Sequence, residues 1–155
     1  MKQLSFLAMP VRFTLFLAIL LVISCTKDAE TITVDTSVPQ GTFSTLKQGN
    51  IVEQNSTGSK GLIQLGQDSK GILFVKFGSD FTTVLATGTV TVYLSTSNTF
   101  KADPGKGNPD LKLVGFVSKN GEMFMKLNSP VESKFTHLIL WCGSANIPFG
   151  NAELK

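Results

Sequence analysis

The stretch Phe135-Thr136-His137-Leu138-Ile139-Leu140-Trp141-Cys142 decides the fold. Side chains alternate faces along a β-strand. On that period Phe135, His137, Ile139 and Trp141 share one face, and Thr136, Leu138, Leu140 and Cys142 share the other. Both faces are mainly apolar, so the stretch predicts a central strand covered on both sides. Cys142 is then expected beside Leu140, inside the fold or at its rim.

Outward from this strand the chain keeps one rhythm. Gly, Asn, Ser and Asp break it about every eight to twelve residues. Between the breaks lie short runs rich in Val, Ile, Phe, Leu and Thr: 42–47, 61–65, 72–77, 89–95, 111–117, 122–127 and 152–154. No stretch carries a helical stripe and no internal repeat is visible. The fold class read from this pattern is all-β, a single antiparallel β-sandwich or barrel domain. Lys119-Asn120-Gly121 predicts a hairpin turn between two runs, because Asn-Gly adopts positive φ at little cost. Pro104, Gly105, Gly107 and Pro109 mark 101–110 as a long loop.

The first residues follow a different pattern. Lys2 and Arg12 form a positive beginning, 13–23 is apolar apart from Thr14, and Ser24-Cys25 ends the run. This is the layout of a secretory signal, too short for a stable membrane span. Val22-Ile23-Ser24-Cys25 resembles a bacterial lipobox. That resemblance implies that Cys25 is lipidated and becomes the mature N-terminus, anchored by buried methylenes worth roughly 0.8 kcal/mol each. Thr26-Lys27-Asp28-Ala29-Glu30 is similar to the export tag of Bacteroidota surface lipoproteins; a solvated tether is the alternative. The expected organisation is signal peptide 1–24, lipidated tether 25–38 and β-domain 39–155. The expected location is the cell envelope, as an outer-membrane lipoprotein exposed at the surface if the tag is genuine.

Charge and cysteine usage narrow the function. The net charge is +3, and loss of Lys2 and Arg12 with the signal lowers it by two. Lysines alternate with acids along the rest of the chain, so no clustered basic face for nucleic acid is expected. With Cys25 taken by lipid, Cys142 has no intrachain partner. It is then buried and inert, paired with another chain, or a redox or ligand thiol. No Cys pair has zinc spacing. His137 is the single histidine, without a nearby acid or nucleophile elbow, so no catalytic residue is assigned. Cys142, His137, Met123 and Met125 would suit a soft ion such as copper, or haem iron. His137 and Cys142 differ by an odd step along the strand, however, and face opposite sides. No metal site is therefore assigned, and the sequence requires no cofactor.

The C-terminal half also resembles a known family. His137-Leu-Ile-Leu-Trp141-Cys142, then Ile147-Pro148-Phe149-Gly150 and Ala152-Glu-Leu154, is similar to the end of the DM-thirteen domain, an electron-transfer domain. Gly41-Thr-Phe43, Gly49, Gly61, Leu73, Phe77, Val92-Tyr93-Leu94-Ser95, Leu113-Val-Gly115 and Asn120-Gly121 follow its pattern in order, so the likeness spans about 39–155. The chain departs from it at two tyrosines: Phe124 or Met125 stands for one and Phe135 for the other. Those changes remove hydroxyl handles and keep the packing. The resemblance implies an extracytoplasmic β-domain whose one Cys serves redox chemistry, in some members beside haem-binding domains.

Two functions from different classes are expected. The first is a lipid-anchored binding or electron-transfer accessory module centred on Cys142, with Trp141, Phe149 and His137 in support. Its partners are the membrane, through lipid on Cys25, and an envelope redox or surface protein. The second is a structural or adhesive surface domain in which Cys142 only packs the core and the 101–110 loop makes contacts. A thiol- or metal-dependent oxidoreductase ranks below both.

Overall fold

The computed structural model describes residues 35–155. Cys25, the expected signal peptide and most of the expected tether lie outside the described residues. Nine strands follow in order: β1 (Ser44–Asn50), β2 (Val52–Glu53), β3 (Leu62–Gln67), β4 (Leu73–Phe77), β5 (Val90–Ser95), β6 (Leu111–Phe116), β7 (Met123–Lys126), β8 (His137–Cys142) and β9 (Ile147–Glu153). They build two antiparallel sheets, β1-β3-β4-β7 and β2-β9-β8-β5-β6. The fold is a β-sandwich and not a closed barrel.

The inner faces of the two sheets supply the core. From β5 and β8, Val90, Val92, Leu94, Leu138, Leu140 and Cys142 point inward, against Ile63, Leu65, Val75 and Phe77 of the facing sheet. Burying one such side chain contributes about 1.5–3 kcal/mol. β8 is central in its sheet, between β5 and β9. Its outward Ile139 is also fully buried, because the segment after β5 folds back over that face. Phe100 of that segment stacks on Trp141 with ring centroids 4.0 Å apart, and Tyr93 meets Phe100 edge-on at 5.2 Å.

Three expectations change in detail. Phe135 does not share the outer face with His137. The strand begins only at His137, and a turn closed by Phe135 N–H to the Glu132 carbonyl sends the Phe135 ring into the core. Asn120-Gly121 does turn, with Gly121 at φ 81°, but it joins no hairpin. β6 pairs with β5 and β7 with β4, so the turn carries the chain from one sheet to the other. The Asn120 side chain accepts the Thr83 N–H, and Gly121 N–H donates to the Phe81 carbonyl. The last strand begins at Ile147, five residues before the expected start. Pro148 argues against a strand on sequence grounds, but a register shift opposite Leu140 and Trp141 accommodates it. Two-residue β2 carries too short a pattern to be read from sequence.

Two ends of the sandwich can be told apart. Gln40 N–H donates to Asp68, Ser69 N–H to the Gln40 carbonyl and Thr42 N–H to the Ser69 hydroxyl. These bonds strap 35–42 onto the β3–β4 turn. The connections 96–110 and 127–136 lie at the same end, since β5 finishes and β8 starts there. The opposite end carries 54–61, 78–89, 117–122 and 143–146, where β8 finishes at Cys142. One edge of the sandwich is clasped: Gln48 of β1 exchanges both backbone hydrogen bonds with Lys155, while β2 pairs with β9.

Candidate functional site

Cys142 ends β8 opposite Val90, the first residue of β5. The chain then turns through 143–146, with Asn146 at φ 56°, and returns as β9. The turn is tied to the segment before β5: Gly143 N–H donates to the Thr89 carbonyl and Ser144 N–H to the Thr89 hydroxyl, at 3.1 and 3.0 Å. The thiol therefore sits where the apolar interior meets a small group of hydroxyls from two connections.

These hydroxyls form a directional network. The Ser144 hydroxyl donates to the Thr87 carbonyl at 3.0 Å and accepts from the Thr89 hydroxyl at 3.0 Å. Its one proton is thereby committed, so the contact with Cys142 Sγ at 3.3 Å has the thiol as donor. The Thr87 hydroxyl is buried and holds no hydrogen bond in this state. Its proton is free to turn toward a thiolate.

Opposing forces act on the Cys142 pKa. Burial pushes it up. Hydrogen bonds from Ser144, Thr87, the Ala145 backbone and Thr89 stabilise the thiolate and together outweigh burial, bringing it from 9.0 to about 7. Cys142 is nevertheless 0% exposed. The site can hold a thiolate, but an outside reagent reaches it only when 143–146 or the Thr87–Thr89 segment moves.

The other sequence candidates scatter. His137 sits at the opposite end of β8, about 16 Å from Cys142 on the strand rise. Its Nδ1 lies 2.9 Å from the Thr136 hydroxyl. One ion cannot bind both residues. Trp141 points to the outer face, away from the thiol, and stacks on Phe100. Of the three supporting residues His137, Trp141 and Phe149, only Phe149 shares the core with Cys142. Its carbonyl is held by the Thr57 hydroxyl at 2.8 Å, and Thr57 continues through Ser59 to Thr83 at 2.9 and 2.7 Å. Met123 is in the core and Met125 packs against it. Among the described residues no three His, Cys, Asp or Glu side chains cluster. Thr87, Thr89 and Ser144 are the site residues that sequence reasoning missed. Ser144 stands two places after Cys142, but the threonines meet the thiol only through the β5–β8 pairing.

No family model, curated protein or solved structure matches the chain.

Proposed function

We propose that this chain is a lipid-anchored envelope domain serving as a binding or electron-transfer accessory module, with Cys142 as its masked thiol. The observation that carries the proposal is the set of donors around Sγ, since inert core cysteines sit among apolar atoms. The lipobox-like Val22-Ile23-Ser24-Cys25 supports anchoring, and the Trp141-Cys142, Phe149-Gly150 and Ala152-Glu-Leu154 ending supports a DM-thirteen-like role. In that role the Cys142 thiolate attacks one sulfur of a partner's disulfide. The partner's S–S bond breaks, its second sulfur leaves as a thiolate and takes up a proton, and a mixed disulfide forms. A further partner thiol then releases Cys142. Haem or copper belongs to the partner in this scheme, because His137 and Cys142 lie at opposite ends of one strand.

Full burial of Cys142 favours a second reading, a structural or adhesive surface domain in which the thiol fills space. Labelling kinetics separate the two. A masked functional thiol is labelled through local opening, faster than the protein unfolds globally, and the rate climbs as pH passes about 7. If labelling never outruns global unfolding, Cys142 is core and the redox role fails.

A further inference from the structure

Among the described residues, four lysines at the strap end of the sandwich lack an ion pair: Lys70, Lys101, Lys112 and Lys126. Lys106 and Lys134 there pair with Asp103 and Glu132, and the Lys112 ammonium is held by Ser129 and Pro130. Asp35, Asp68 and Asp110 are the acids at this end without an ion pair, so the lysines outnumber them by one charge. Asp35 accepts the Ser37 N–H, and Asp68 is saturated by the backbone N–H groups of Gln40, Lys70 and Ile72. Between 71–73 and 126–130 runs an open groove of about 420 Å³, lined by Ile72, Leu73 and Pro130 as well as Lys126. Apolar side chains flanked by lysines suit the boundary between headgroups and acyl chains.

The path of the chain says which surface this end meets. Asp35, the first of the described residues, is held beside the β3–β4 turn. Ten residue steps separate Asp35 from Cys25. That length spans at most about 35 Å, so Asp35 lies no farther than this from the anchoring residue. A lipid on Cys25 thus keeps the strap end near the bilayer. We infer that the strap end, through Lys70, Lys101 and Lys126 beside the groove, docks on the anionic headgroups of the membrane that holds the anchor. The Cys142 end then faces the aqueous side, where a partner meets it. This inference rests on lipidation of Cys25.

Amine-reactive footprinting read by mass spectrometry tests it on the lipidated full-length mature chain. The chain is placed in phosphatidylcholine vesicles, in phosphatidylcholine–phosphatidylglycerol vesicles and in neutral detergent micelles. Lys60 and Lys119 of the thiol end are internal references. On the anionic vesicles Lys70, Lys101 and Lys126 label several-fold more slowly than in micelles, the reference lysines keep their rates, and high salt removes the protection. A chain that floats with the anionic vesicles and labels alike at both ends overturns docking while anchoring stands. Equal protection in micelles also overturns it, since the lysines are then covered by the protein itself. A chain that does not float removes the anchoring premise and the inference with it.

Discussion

The Ser144 hydroxyl stands 3.3 Å from Cys142 Sγ while its proton is committed to the Thr87 carbonyl. Ser144 therefore accepts from the neutral thiol, and it can donate to the thiolate only by turning away from Thr87. The same hydroxyl satisfies both charge states of Cys142, which an apolar neighbour could not do.

Titration of Cys142 follows from this arrangement. Its folded pKa of about 7 lies below the ordinary 9.0. A lowered pKa means that the folded form binds the thiol proton less well than the unfolded chain. The stabilisation is complete above pH 9.0, declines between there and about 7, and is lost as pH falls through the folded value. The lowering from 9.0 to about 7 is net of burial and corresponds to a gain of about 3 kcal/mol at most. Urea unfolding of wild type and Cys142→Ala across this window measures it: the difference between the two should shift toward wild type as pH rises. Ser144→Ala should raise the thiol pKa and flatten the trend. A trend that survives in Cys142→Ala belongs to another group.

The outer aromatic stack makes an independent expectation. Trp141 is the single tryptophan, and Phe100 covers it in a stacked arrangement. Phe100→Ala should move Trp141 emission to longer wavelength and cost about 0.5–1.5 kcal/mol beyond the lost area. Labelling Cys142 should leave that emission nearly unchanged, since the thiol and the indole lie on opposite faces of β8. A large change on labelling would show that the two faces are coupled.

Much of this was legible in the sequence. The alternation of β8 placed Leu138, Leu140 and Cys142 on one face, and those three are core. It failed at Phe135, because a period-two reading assumes the strand continues past Thr136. The hydroxyl shell was out of reach for a different reason: Thr87 and Thr89 are more than fifty residues from Cys142 and meet it only once β5 pairs with β8. Non-local pairing also explains the misplaced Asn120-Gly121 hairpin. A turn motif fixes the local bend, whereas partner choice depends on which sheet has a free edge.

Phe135 and Phe116 separate pattern from packing. Phe135 is 3% exposed and in the core, whereas Phe116, at the end of edge strand β6, is 63% exposed. Phe135→Ala should cost about 3–5 kcal/mol through lost burial and a cavity. Phe116→Ala should fall within about 0.5 kcal/mol of wild type. Parallel urea titrations decide this, and equal costs would contradict the turn that carries Phe135 inward.

The clasp between β1 and the C-terminal strand can be broken at one atom. Gly49 lies where β1 crosses from its own sheet toward β9. A Cβ there would be driven into the backbone carbonyl of Glu153, which the hydrogen bonds of Gln48 to Lys155 on either side hold in place. Backbone on backbone leaves no flexible side chain to give way. Gly49→Ala should therefore cost about 3 kcal/mol or more, with faster exchange of the Gln48 and Lys155 amides as the clasp opens. Gly88→Ala is the control: its space is open and only its φ of 74° resists a side chain, so the expected cost is about 1 kcal/mol. If Gly49→Ala proves as mild as Gly88→Ala, the clasp yields without loss, and the two sheets are held together by their shared core alone.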